Sequence, residues 1–208
     1  MAPPDEHRGL EGSSETLIQI VDAALAEATR KSGDRLACRP GCTECCMGPF
    51  PISQLDAWRL REGLAQLGEQ DAARAERVRR RVRESALRLA PDYPGDASTG
   101  TLDEGGDAEE RFADFADSEP CPALDPESGL CDLYAARPLA CRTFGQPVRV
   151  GAAVGVCELC FQGAGEEEIA ACAAEIDVDA LEAPLLRGFE ESGQTIVTFA
   201  LAVEAQPR

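Results

Sequence analysis

The stretch CRPGCTECCMGPFPIS at residues 38–53 constrains this chain more than any other feature, because it places four cysteines within nine positions. Pro40–Gly41 and Gly48–Pro49 interrupt it, and a segment of this kind forms a surface loop rather than a core element. Packing as small buried hydrophobes therefore does not account for four thiols. Adjacent α-carbons lie about 3.8 Å apart, below the roughly 4.4–6.8 Å of ordinary disulfides, so Cys45 and Cys46 are not expected to bridge each other.

The cellular compartment decides how such thiols are used. The start, MAPPDEHRGLEGSS, lacks a basic segment followed by an apolar one, so we expect no signal peptide. No apolar run approaches the about 18 residues of a membrane span. We therefore expect a cytoplasmic protein, in which thiols serve as metal ligands or catalysts before they form disulfides. A redox role for the Cys42-Thr-Glu-Cys45 pair is less consistent, because no βαβ pattern surrounds it.

The remaining donors restrict the site to sulfur. The one histidine, His7, lies in residues 1–13, which we expect to form a disordered leader. Histidine-rich zinc catalysis and Ser-His-Asp or Cys-His catalysis are thereby excluded, and we name no catalytic residue. Thiolates select zinc, iron–sulfur clusters or Cu(I). Zinc and iron, including an iron–sulfur cluster, both stay open as the cofactor, and copper ranks below them.

The charge of the chain argues against a nucleic-acid partner. The formal net charge is −18, and residues 91–208 carry 6 basic and 24 acidic side chains. Nucleic acids require basic surface for phosphate neutralisation, which this chain does not offer. We interpret the arginines of 70–90 as an ordinary solvated helix face. The expected partner is a metal ion, with no nucleic acid, no membrane and an unknown protein partner.

Apolar periodicity favours helices over strands. Four helices are predicted, at 14–30, 52–67, 70–90 and 166–192, the second with Ser53 as its N-cap. VRVGAAVGVCELC at 148–160 favours a short hairpin, and 194–203 is ambiguous between helix and strand. The fold class is mainly α: a small irregular α-rich domain with cysteine-rich metal-binding loops. We expect one domain at 14–192 with a flexible acidic insertion at about 91–118, followed by a C-terminal segment at 193–208.

A second cysteine region, CPALDPESGLCDLYAARPLACRTF at 121–144, makes the pattern specific. Together with 38–53 it resembles the YkgJ-type cysteine-cluster proteins, a family also named CxxCxxCC and described as chelating zinc or iron. The first spacing here is C-x3-C, where the family name implies C-x2-C. The resemblance covers roughly residues 36–161 and implies chelation by about eight cysteines. These are Cys38, Cys42, Cys45, Cys46, Cys121, Cys131 and Cys141, with Cys157 or Cys160 as the eighth and both near the site.

Two further expectations concern the surroundings of the thiols. Cys172, in the alanine-rich AACAAEI, is interpreted as a packed small residue rather than a ligand. Arg39, Arg137 and Arg142 stand next to or near cysteines in the sequence. They either hydrogen-bond sulfur and offset the negative charge of a thiolate site, or pair with acids.

We favour a role without catalysis, as a metal-binding module in which the cysteines hold the chain together through the bound metal. The alternative is an iron–sulfur-dependent modifying enzyme, because the cysteine region is similar to that of flagellin lysine-N-methylases. The spacing Cys38-x3-Cys42-x2-Cys45 also resembles the radical-SAM motif. Glu44, however, occupies the place of the usual aromatic, and no strand–helix series for a partial barrel follows.

Overall fold

Helices dominate the chain. The computed structural model describes residues 4–189 and 192–203, and within them it contains eight α-helices and two antiparallel pairs of short strands. The helices are α1 (Pro4–Ser32), α2 (Gln54–Gln70), α3 (Ala72–Leu89), α4 (Ala108–Ala113), α5 (Leu139–Thr143), α6 (Glu166–Cys172), α7 (Val178–Leu186) and α8 (Val197–Ala202). The strands are β1 (Gly95–Asp96), β2 (Thr101–Leu102), β3 (Val148–Val150) and β4 (Ala153–Gly155). The predicted small α-rich class is confirmed.

The chain divides into two compact units. The first unit contains the described residues up to Cys42 together with Leu139–Gly188. The second contains Thr43–Pro138 and the described residues from Phe189 onward. The boundary between Cys42 and Thr43 therefore falls inside the first cysteine stretch. The domain limits expected from the sequence stay a prediction, and each unit is described by itself below.

The second unit is built on α2, α3 and α8, which pack against one another. Ser53 caps α2 as predicted, because its hydroxyl accepts the Asp56 N–H at 3.1 Å, and Asp71 caps α3 by accepting the Arg74 N–H at 2.9 Å. The apolar stripes of α2 and α3 meet in the core that the periodicity predicted. Its buried members include Leu60, Leu64, Val78, Val82 and Ala200.

The acidic stretch at 91–118, predicted from the sequence to be a flexible insertion, contains buried side chains and a strand pair. Its Tyr93, Leu102 and Phe115 are buried and form a second apolar cluster with Ile196 and Phe199. Strands β1 and β2, which belong to this stretch, pair with each other in antiparallel register. The few aromatic and apolar residues spaced along a polar stretch supply enough buried area to hold its backbone in place.

The first unit is arranged along α1, which contacts α5, α6 and α7. Leu17, Val21 and Leu25 on its buried stripe match the predicted periodicity. The helix begins at Pro4, so the described part of the segment expected to be disordered is helical. Once the amphipathic part has formed, adding residues at its end costs little, because each new residue gains a hydrogen bond. Residues 1–3 lie outside the described part of the chain.

Strands β3 and β4 and the interruption between α6 and α7 complete this unit. The predicted hairpin at 148–160 is confirmed in β3 and β4, with Val148 opposite Gly155. The predicted helix at 166–192 instead forms two shorter helices, α6 and α7. They are separated because the extended Ala174 pairs with β3, donating its N–H to the Pro147 carbonyl at 2.8 Å. Tertiary strand pairing here overrides helix propensity. Residues 190 and 191 lie outside the described part.

The ambiguous segment at 194–203 forms helix α8. Among the described residues, no helix combines the length and the apolar character needed to cross a membrane.

Candidate metal centre

Eight cysteines lie close enough to interact electrostatically in two sets of four, and each set lies within one unit. The grouping follows from which thiols perturb one another's ionisation. The first quartet, in the first unit, consists of Cys38, Cys42, Cys157 and Cys160. The second quartet, in the second unit, consists of Cys45, Cys46, Cys121 and Cys131. The first cysteine stretch thus contributes two thiols to each quartet.

Tight turns present the thiols of the first quartet in pairs. The Cys42 N–H donates to the Arg39 carbonyl at 2.9 Å, and the Cys160 N–H donates to the Cys157 carbonyl at 2.9 Å. Gly41 adopts φ +94° in the first turn, a conformation that side chains disfavour. The C-x3-C and C-x2-C spacings held by these turns are spacings that tetrathiolate zinc sites use.

Backbone contacts join these two turns. The Phe161 N–H donates to the Arg35 carbonyl at 2.8 Å, and the Ala37 N–H donates to the Cys160 sulfur at 3.4 Å. An N–H directed at a cysteine sulfur restrains the direction in which that side chain points. The buried Cys160 is thereby oriented from the segment that carries Cys38.

Two thiols of the first quartet, Cys38 and Cys157, have raised pKa values. Partial burial and then the neighbouring Cys160, Cys42 and Cys157 thiols together raise the pKa of Cys38 to about 12. The pKa of Cys157 is also raised, by burial first and then by the Cys160 and Cys42 thiols. Neighbouring thiols oppose thiolate formation in this way when no cation lies between them. A divalent metal ion would remove the opposition.

The second quartet joins two segments that are distant in the sequence. The Cys46 N–H donates to the Thr43 carbonyl at 2.8 Å, which forms the turn that carries Cys45 and Cys46. The Cys121 N–H donates to the Cys46 carbonyl at 2.8 Å. A β-bridge between Leu124 and Cys131 then brings the last thiol back to the others. These backbone contacts hold the four positions near one another.

Ionisation is divided unevenly within the second quartet. A hydrogen bond donated by the Cys46 thiol lowers the pKa of Cys45 to about 7, and the charge of Arg137 acts in the same direction. The same hydrogen bond, together with burial, raises the pKa of Cys46. Burial raises the pKa of Cys121 to about 12. Cys45 is therefore the thiol of this group that ionises first, and a thiolate is the metal-binding form.

The arginines near the cysteines differ in their partners: one influences thiols and another pairs with an acid. Arg137 lies over the Tyr134 ring, with its guanidinium carbon 4.0 Å from the ring centroid, and its charge favours the thiolate forms of Cys45 and Cys131. The buried Arg142 instead donates to both carboxylate oxygens of Asp22 at 2.8 Å. Arg39 is exposed.

The remaining two cysteines, Cys141 and Cys172, also lie in the first unit. Cys141 is on α5, and its role as a ligand stays a prediction. Cys172 ends α6, and its thiol donates to the Lys31 carbonyl at 3.5 Å. Cys172 is partly exposed, and its interpretation as a packed small residue stays a prediction.

The donor chemistry fits a thiophilic metal, although the thiols are not arranged as a finished coordination shell. In the part of the chain that the structure describes, no three His, Cys, Asp or Glu side chains already converge on one metal position. Each quartet nevertheless offers four soft sulfur donors without histidine, which is the set that zinc or iron–sulfur centres use.

Comparison with known families agrees with this reading of the thiols. Residues 37–160, more than half of the chain, match the model of a family described as a "putative zinc- or iron-chelating domain". The chain belongs to the CxxCxxCC family. The matched range of this CxxCxxCC protein includes every thiol of both quartets. No curated protein and no solved structure matches the chain.

Proposed function

We propose that this CxxCxxCC protein binds two metal ions, one through the four thiolates of each quartet. The observation that supports this proposal is the division of eight cysteines into two groups of four, each within one compact unit. Family membership supports chelation of zinc or iron in general. The number of metal ions and their division between the two quartets go beyond the family description and are proposed here.

Zinc is the metal proposed for the first quartet. Its ligands come as a C-x3-C pair and a C-x2-C pair, and structural zinc sites use pairs with this spacing. The second quartet has a different pattern, an adjacent pair and two separate cysteines. Its four thiolates fit zinc equally well, and iron in a cluster is the competing occupant.

The proposed role of both ions is structural. Four thiolates fill the tetrahedral shell of zinc and leave no open position for a substrate or a water molecule. The positive charge of the ion would offset the repulsion among the thiolates, and the bound sulfurs would tie together segments that are distant in the sequence. Binding of structural zinc contributes on the order of 10–16 kcal/mol, comparable with the roughly 5–15 kcal/mol stability of a whole domain.

The test is elemental analysis of protein purified without oxygen, combined with its visible spectrum. We expect about two zinc ions per chain, on the eight-ligand arithmetic of tetrathiolate sites, and a colourless solution. Cys157→Ser removes the ion of the first quartet, and Cys131→Ser removes the ion of the second. Cys172→Ser is the matched control and keeps both.

Equal zinc loading in all three variants would contradict the ligand assignment. A brown protein containing iron and sulfide would instead indicate that at least one quartet binds an iron–sulfur cluster. The Cys131→Ser and Cys157→Ser variants would then show which quartet carries the colour.

A further inference from the structure

One arginine of α3 contacts the residues that follow two thiols of the second quartet. The Arg81 Nε donates to the Pro122 carbonyl at 2.8 Å, and its terminal nitrogen donates to a carboxylate oxygen of Asp132. Pro122 directly follows Cys121, and Asp132 directly follows Cys131. A single guanidinium group therefore spans both limbs of the loop that carries these two cysteines.

Asp132 is held from several sides. Its side chain is only 3% exposed, and each carboxylate oxygen accepts from a different arginine, one from Arg74 and one from Arg81. Its own N–H donates to the Ala123 carbonyl at 2.7 Å. A buried carboxylate with both oxygens engaged by planar guanidinium groups has little freedom to move. The backbone next to Cys131 is therefore fixed relative to α3.

These contacts distinguish Arg74 and Arg81 from the solvated Arg83 of the same helix. The two lie seven residues apart and so share one face of α3. Arg83, by contrast, pairs with Glu76 at 2.8 Å where both side chains are well exposed. The interpretation of all the arginines as a solvated face is therefore incomplete, since two of them hold the cysteine loop.

We propose that Arg81, acting through Asp132 and the Pro122 carbonyl, is a positioning residue for Cys121 and Cys131. It holds the two sulfurs at the separation that the metal of the second quartet requires, and Arg74 supports it by fixing the same carboxylate. This inference rests on the proposed function, because it assumes that the second quartet binds a metal. Groups that orient metal ligands typically change metal affinity 10- to 100-fold when they are removed.

The experiment measures zinc release from the full zinc-loaded chain to the chromogenic chelator 4-(2-pyridylazo)resorcinol. Arg81→Gln and Asp132→Asn are expected to accelerate release of one of the two zinc equivalents by about 10- to 100-fold. The other equivalent leaves at the rate of the unmodified protein. Arg81→Lys keeps the charge but loses the forked guanidinium group that reaches both Pro122 and Asp132. Its zinc release is therefore expected to be slower than in Arg81→Gln but faster than in the unmodified protein. Arg83→Gln, on the same helix, is the matched control and changes neither rate.

Cobalt substitution supplies a readout that general loosening would not reproduce. Tetrathiolate Co(II) has visible bands that depend on the arrangement of its four sulfurs. Arg81→Gln is expected to change the bands of one of the two cobalt ions while the far-ultraviolet circular dichroism of the protein stays unchanged. If Asp132→Asn yields no folded protein, Arg81→Gln and Arg81→Lys decide the question alone.

Two results would overturn the inference. One is release at the unmodified rate in Arg81→Gln, and the other is equal acceleration of both zinc equivalents, which would indicate general destabilisation. Failure of the proposed function looks different, because the unmodified chain would then hold no zinc that depends on Cys131. A chain that holds two zinc ions but is insensitive to Arg81→Gln retains the proposed function and loses this inference only.

Discussion

Gly145 leaves the space that the Cys38 thiol occupies, and a β-carbon built on this glycine would overlap the Cys38 sulfur. Gly145 also adopts φ +97°, a backbone conformation that side chains disfavour. Two residues separated by more than a hundred positions therefore determine each other: the glycine is required at 145 because a proposed ligand from the first cysteine stretch lies against it.

Substitution of this glycine is expected to displace the thiol. Gly145→Ala should lower the zinc content from about two ions per chain to about one, as expected when a tetrathiolate site loses a ligand. Gly163→Ala is a matched control, because Gly163 also has a positive φ, +76°, but nothing lies within 4 Å of its added β-carbon. Backbone strain is thus similar in the two variants, and only Gly145→Ala meets a sulfur. Elemental analysis decides, and equal zinc content in both would mean that the Cys38 position does not matter.

Removal of the metal is expected to loosen the chain. Because zinc binding of about 10–16 kcal/mol rivals the stability of a domain, stripping the protein with a strong chelator should open the segments that carry the quartets. Limited proteolysis should then cut next to the cysteines, and returning zinc should restore protection. Cys172→Ser protein should behave like the unmodified chain throughout. Unchanged protease resistance after verified metal removal would argue against a structural role.

Zinc affinity is expected to rise with pH. Burial and neighbouring thiols raise the pKa of Cys38 and that of Cys121 to about 12, from an ordinary value of 9.0. These thiols therefore keep their protons at neutral pH until the metal displaces them. Each displaced proton makes the affinity rise about tenfold per pH unit, since one pKa unit corresponds to 1.36 kcal/mol. Competition with a calibrated chelator at several pH values measures the slope, and a flat profile would contradict thiol ligation.

The aromatic cluster of the second unit is expected to carry much of its stability. The Phe199 and Tyr93 ring centroids lie 4.2 Å apart in a cluster that is otherwise apolar. Phe199→Ala should reduce the free energy of unfolding by about 3–5 kcal/mol, because it removes a large buried ring and leaves a cavity. Leu87→Ala, at a site that is 78% exposed, should cost less than about 0.5 kcal/mol. Urea denaturation of the two zinc-loaded variants provides the comparison.

Local patterns predicted local structure well. The apolar stripes of α1, α2 and α3, the Ser53 cap and the short hairpin all follow from interactions between residues close in the sequence. The helix predicted at 166–192 was interrupted because Ala174 pairs with Val148 of β3. The stretch at 91–118 was expected to be flexible, since its composition does not reveal that Tyr93 and Phe115 meet Phe199. Both differences come from contacts with distant parts of the chain.

The sequence by itself determined the chemistry of the candidate site. Ten cysteines and a single histidine leave sulfur as the ligand, and turn-forming residues between the thiols keep them at short spacings. Only the tertiary structure decided which thiols are neighbours. Cys38 and Cys42 lie near Cys157 and Cys160, and Cys45 and Cys46 lie near Cys121 and Cys131. Spacing along a chain constrains only nearby residues, whereas the meeting of distant segments depends on which backbone groups and buried side chains they can satisfy together. The roles of Gly145 and Arg81 depend on that second kind of information.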